Sequence, residues 1–140
     1  MDEEQRFEIE WDCQKISRQY YHLMDQRNYD DAIMLFSPDV RWEVMGLDLH
    51  GRKAVRDAFS GLTKSTIRHV LTNTTVDVVD EDHANAVSYV TIYVEKGFPD
   101  DGPLHFDGPN RLGENHDTLV RTEDGWRIAH RTGQLAFARD

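Results

Sequence analysis

After Leu62 the apolar residues of this chain stop recurring every three to four positions and begin to alternate, and that alternation persists toward the C-terminus. A helix buries one stripe and a strand buries every second side chain, so this change of period divides the fold into a helical first part and a sheet-forming second part. On the helical side, Ile9, Cys13, Ile16, Tyr20 and Leu23 form the stripe of a long first helix. Asn28 is suited to cap a short second helix, with Asp31 at its third position and Tyr29, Ile33 and Phe36 on its buried face, and Pro38 ends it. Val40, Trp42 and Val44 alternate with charged residues in a strand that stops at Gly46. Gly51 then starts a third helix, in which Val55, Ala58, Phe59 and Leu62 share a side.

On the alternating side, Ile67 to Val79 and Ala84 to Glu95 are rich in Thr, Val and Ile and are joined by Asp80-Glu81-Asp82, which predicts a long hairpin. Lys96 to Asn115 contains Pro99, Gly102, Pro103, Gly108, Pro109 and Gly113 and reads as an extended loop, of the kind used as a lid or a contact surface. His116 to Thr122 and Trp126 to Arg131 pair across Glu123-Asp124-Gly125, where Asp-Gly supplies positive-φ positions. Three helices followed by an antiparallel meander make the chain α+β, and a chain of 140 residues is expected to form one domain over 1–140. A long curved sheet wrapped around the first helix would make a cone with one open mouth, suited to a buried apolar ligand.

Composition removes most kinds of chemistry. With 26 acidic and 16 basic residues the formal net charge is −10, which argues against nucleic acid or an anionic membrane as a partner. The single cysteine, Cys13, lies in a helical stripe, so neither an intrachain disulfide nor a thiolate cluster is available, and a reduced, cytoplasmic setting is expected. No apolar run approaches the length that spans a bilayer. The histidines lack a closely spaced ligand pair, so no metal is expected. No Gly-rich loop joins a strand to a helix in dinucleotide-binding order, so no cofactor is expected either.

What remains is a small set of polar residues on amphipathic elements. Asp25 ends the first helix and His69 lies within a strand, and a carboxylate arriving from an opposing helix can orient an imidazole and fix its tautomer. The alternative is that Asp25 caps its helix and His69 pairs with a neighbouring strand. Tyr21, one turn before Asp25, could reach either that carboxylate or a substrate oxygen. Trp42 suits core packing and pocket lining alike. Tyr89 and Tyr93 share one strand face, Ser88, Val90 and Ile92 the other, and the pattern leaves open which looks inward. His116 opens its strand beside Asp117 and is expected to point inward.

Tyr21-x-x-x-Asp25, Phe36-x-Pro38-Asp39-Val40, Trp42, Gly46, Gly51-Arg52, Arg68-His69-x-x-Thr72-Asn73 and Glu123-Asp124-Gly125-Trp126-Arg127-Ile128 together resemble the SnoaL-like branch of the nuclear transport factor 2-like superfamily. The resemblance covers nearly the whole chain and is strongest toward scytalone dehydratases and hexachlorocyclohexane dehydrochlorinases. It implies a cone-shaped α+β barrel, dimeric or trimeric, that works without cofactor, with Asp25 and His69 at the positions of a catalytic dyad. It also implies a substrate pocket involving Trp42 and His116, while Ser88, Tyr89 and Thr91 occupy the neighbourhood of the dehydratases' second catalytic histidine. The expected activity is a dehydratase-type elimination on a small alicyclic or polyketide-like substrate, with Asp25 and His69 catalytic and Tyr21, Trp42, Tyr89 and His116 binding the substrate. The alternatives are an isomerase or cyclase with Asp25 as proton shuttle, and a non-catalytic ligand-binding or assembly subunit.

Overall fold

A computed structural model describes residues 1–62 and 64–139. The first helix, α1 (Glu3–Asp25), is opened by a capping box: the Asp2 carboxylate accepts the Gln5 N–H at 2.8 Å, and the Gln5 side chain accepts the Asp2 N–H at 3.0 Å. Its buried stripe includes Ile9, Cys13, Ile16, Tyr20, Tyr21 and Met24. The helix ends through its backbone, since Arg27 at φ +60° sends its N–H to the Met24 carbonyl and Asn28 sends its own to Leu23. Asp25 is the last helical residue, and its side chain is free of capping duty.

Asn28 caps α2 (Tyr29–Ile33) as expected, accepting the Asp31 N–H. Phe36, however, is not on that helix. It begins β1 (Phe36–Val44), which continues through Pro38, where the pairing register with its neighbour is interrupted and a missing N–H costs no ladder bond. A two-residue turn at Met45 and Gly46, both at positive φ, leads into β2 (Leu47–His50), a strand absent from the alternation pattern. The helix α3 (Gly51–Ala58) then ends in a 3₁₀ turn, Phe59–Leu62.

β3 (Ser65–Val78), β4 (His83–Lys96), β5 (Arg111–Thr122) and β6 (Gly125–Ala138) form the meander. The sheet order is β2-β1-β6-β5-β4-β3, antiparallel throughout except for β1 beside β6. The sheet curls around α1 without closing, leaving β3 and β2 as edges. Ala84, Ala86, Val90, Leu119 and Ile128 turn inward to meet the α1 stripe, and these residues form the core.

One departure from the expected boundaries bears on function. Arg111 to Asn115 belong to β5, because β4 and β6 pair with them from both sides, so the Gly/Pro-rich segment shrinks to 97–110. That segment lies against the outer face of the sheet, where Phe106 stacks on Tyr93 with ring centroids 5.5 Å apart. No helix among the described residues is long and apolar enough to cross a membrane.

Candidate active site

His69 is on β3, the edge strand, opposite Ile92 and facing the concave side. An edge strand leaves backbone N–H groups unpaired, and Asp25 at the end of α1 meets this one: the His69 N–H donates to both carboxylate oxygens, at 3.2 and 3.0 Å. The same carboxylate lies 2.6 Å from Nδ1 of the His69 ring. An ionised carboxylate only accepts hydrogen bonds, so facing one the neutral ring carries its hydrogen on Nδ1 and keeps the Nε2 lone pair free. The two side chains are 15% and 14% exposed, mostly buried but with an open edge. Both oxygens of Asp25 are thus engaged by one histidine.

Above the pair opens a cavity of about 260 Å³ with a mostly apolar wall that includes Met24, Trp42, Leu49, Phe59, Leu62, Val90 and Ile92. Tyr21 sits beside His69 with ring centroids 4.9 Å apart. Its hydroxyl accepts a hydrogen bond from the Asn115 amide, not from the Asp25 side. Burial raises the Tyr21 pKa, opposed by the charge of Arg131, so the phenol keeps a proton to donate. Trp42 stacks on Phe36 at 5.9 Å and meets Phe59 edge-on at 6.0 Å, serving core and cavity wall together.

Tyr89 and His116 are elsewhere. The inward face of β4 is the one bearing Ser88, Val90 and Ile92, which turns Tyr89 to the outer surface, where it is 41% exposed. His116 is likewise outward, paired with Glu114 at 3.0 Å, because the inward row of β5 runs through Arg111, Gly113, Asn115, Asp117 and Leu119. The expected pocket roles of Tyr89 and His116 are therefore corrected: strand alternation places both on the wrong side. Among the described residues no group of three or more His, Cys, Asp or Glu side chains is arranged to hold a metal ion.

Sequence reasoning missed the buried pair at the floor of the cavity. Arg131 on β6 donates to Asp117 through Nε at 2.8 Å and Nη2 at 2.9 Å, with almost no exposure of either side chain. The guanidinium is enclosed by aromatic rings, 4.7 Å from the Tyr20 centroid and 5.6 Å from those of Tyr21 and Phe36. Burial works against its charge, but Asp117 and the two tyrosines hold it firmly protonated. Counting outward from the Thr122–Gly125 turn would set Asp117 opposite His130. Ala129 is an extra residue in β6, since Thr118 pairs with His130 and Leu119 with Ile128, and this bulge brings Arg131 opposite Asp117 instead.

The sequence profile of the SnoaL-like domain matches residues 5–132. The chain belongs to the SnoaL-like domain family. No curated protein sequence matches it. Among solved structures, this SnoaL-like chain is similar to a protein from Novosphingobium aromaticivorans provisionally named a scytalone dehydratase, with TM-score 0.79 and 21% identity over 92% of this chain and 85% of that one. It is also similar to a nuclear transport factor 2-like protein of cystatin-like fold from the same organism, with TM-score 0.68 and 23% identity over 89% and 80% of the two chains. ActVI-ORFA from Streptomyces coelicolor is a third, at TM-score 0.73 and 18% identity over 89% and 95%. At these identities the likeness establishes the fold, a nuclear transport factor 2-like cone with its helix inside, and the chemistry of this SnoaL-like domain has to be argued from its own side chains.

Proposed function

We propose that this chain is a cofactor-independent lyase of the dehydratase type, acting on a small alicyclic or polyketide-like substrate. The observation that carries the reading is the triple engagement of Asp25 with the backbone and ring of His69, which leaves Nε2 as a basic lone pair at the wall of an apolar cavity. In the proposed step, His69 Nε2 takes a proton from a substrate C–H and Asp25 stabilises the imidazolium. The C–H electron pair becomes the new C=C bond, and the hydroxyl departs as water with the proton returned by His69, so the ring ends neutral. Tyr21, held by Asn115, offers its hydroxyl proton to a substrate oxygen, and Trp42 supports the substrate body. Because both Asp25 oxygens are engaged by His69, the geometry favours His69 over Asp25 as the proton acceptor, and with it elimination over an aspartate-driven isomerisation or cyclisation. Support for an enzyme of this kind also comes from the family and from the fold shared with a provisional scytalone dehydratase.

Two measurements test the proposal. Nitrogen-15 NMR of the free protein at neutral pH should show the His69 ring protonated at Nδ1, and an Nε2-protonated neutral ring would contradict the base assignment. A screen of alicyclic β-hydroxy ketones for loss of water should find a substrate whose turnover falls about 10²- to 10⁴-fold in His69→Ala. If bound ligands are never converted, the chain is a binding subunit instead.

A further inference from the structure

The inward row of β5 ends at the mouth of the cavity with Arg111, opposite the inward-facing Ile92. Its neighbour in that row, Gly113, has no side chain, so the space beneath the guanidinium is left to the cavity. Across the mouth stands the turn between β1 and β2, and the only side-chain partner of Arg111 among the described residues is there: Nη1 lies 3.9 Å from the Met45 sulfur. A thioether is a weak acceptor and balances no charge.

Other arginines of this chain are held by carboxylates or, like Arg52 on the Phe36 carbonyl, by backbone oxygens. Arg41 pairs with Asp48 and Glu43, Arg56 with Asp30, Arg121 with Asp82, and Arg131 with Asp117. Arg111 has no carboxylate partner among the described residues. Glu114, the acid closest to it along β5, is directed to the outer face and bonded to His116. The rim itself is apolar, because Met45, Leu47 and Leu135 are all exposed beside the opening. Met45 stands at φ +44°, a left-handed conformation that an unbranched residue other than Gly, Asn or Asp seldom adopts, which presents its thioether at the lip where a more polar turn residue would be the ordinary choice.

The cavity thus has an apolar body, internal charges that are paired as Asp25 with His69 and Asp117 with Arg131, and one cation without a carboxylate at its mouth. We infer that the substrate of this cavity is an apolar carboxylate, whose hydrocarbon body fills the interior while its carboxylate stays at the rim and pairs with Arg111. The inference rests on reading the cavity as a substrate site and adds to it the end of the molecule that faces water. Arg111 is a specificity-determining residue in this arrangement and takes no part in the proton transfer.

The test compares two probes of one shape, 4-cyclohexylbutanoate and 4-cyclohexylbutanamide, by titration calorimetry. At low ionic strength the wild type should bind the carboxylate about fivefold tighter than the amide, the scale of one exposed ion pair, and added salt should shrink the preference. Arg111→Gln should lose the preference while its affinity for the amide stays the same, which also shows that the cavity is intact, and Arg111→Glu should prefer the amide. Equal binding of both probes by the wild type, an unchanged preference in Arg111→Gln, or no binding of the carboxylate would each overturn the inference. His69→Ala should retain the preference, so failure of the base assignment and failure of the rim assignment are read separately.

Discussion

Two acid–base pairs share the concave face of this sheet and are built for opposite ends. Asp117 and Arg131 are sealed, doubly hydrogen-bonded and packed among aromatic rings. Asp25 and His69 are closer together at 2.6 Å but stand at the cavity wall with part of each side chain exposed. The sealed pair holds a fixed charge pattern under the floor of the cavity, with both Asp117 oxygens taken and only the Arg131 Nη1 left without a partner. The half-open pair has one basic atom without an intramolecular duty. On the proposed reading, the comparison teaches that an unused lone pair facing a cavity, and not burial alone, is what singles out a candidate catalytic residue in this fold.

The comparison can be broken most forcefully at the sealed pair. Asp117→Asn should cost about 3–5 kcal/mol of stability, because it strands a buried guanidinium, whereas the joint replacement Asp117→Leu with Arg131→Met should recover most of that loss. Urea unfolding measures both, and a mild effect of the single change would show that the pair is wetter than its geometry implies. At the half-open pair the balance reverses. Asp25→Asn should lower turnover by about 10²- to 10⁴-fold and cost about 1–3 kcal/mol in urea, less than the sealed pair because part of the site is open to water. A stability loss as large as that of Asp117→Asn would erase the distinction.

A subtler probe lies between the pairs. A Cβ added at Gly133 would stand 3.2 Å from a Val44 methyl and 3.3 Å from the Asn115 side-chain oxygen. Gly133→Ala should therefore displace the Asn115 amide from Tyr21, lowering turnover more than its cost of about 1–3 kcal/mol in stability would suggest. Unchanged kinetics would remove Asn115 from the site.

The smallest effect is a labelling rate at the sealed end. Burial, with Asp12 nearby, pushes the Cys13 thiol up to about 12 from an ordinary value of 9.0. The folded thiol thus keeps its proton through neutral pH, and its stabilising contribution is present below pH 9.0 and lost as pH rises toward about 12. At pH 8 a thiol reagent should reach Cys13 only through local opening of the sealed end, faster in Asp117→Asn and unchanged in Asp25→Asn. Acceleration by Asp25→Asn would mean that the two ends open together.

The large outline was legible because it depends on period. The stripe of α1, the hairpin of β3 and β4, and the Asp-Gly turn all follow from side-chain spacing that local geometry enforces. Asp25 and His69 were legible because few other polar residues interrupt apolar patterns. The rest depended on neighbours. β2 exists because β1 offers it an edge, and Arg111 to Asn115 form strand despite Gly113 because ladders on both sides hold them. Tyr89 and His116 were misplaced because an alternating strand does not say which of its faces is the inner one. Arg131 was missed because bulges change the parity of a strand partway along it, as between Leu71 and Thr74 on β3 as well.

Ala129 has an importance that its methyl group does not explain. It fills the bulge: held out of the ladder it lets the arginine meet its aspartate, and drawn into the ladder opposite Thr118 it would set a histidine at that inner position and turn the arginine to solvent. Exchanges of Ala129 for other small residues should pass almost unnoticed, and its deletion should keep Arg131 opposite Asp117, whereas straightening the bulge with the residue kept would rewrite every position of β6 that follows. In descendants of this chain, a gap at this one site should leave the buried pair together.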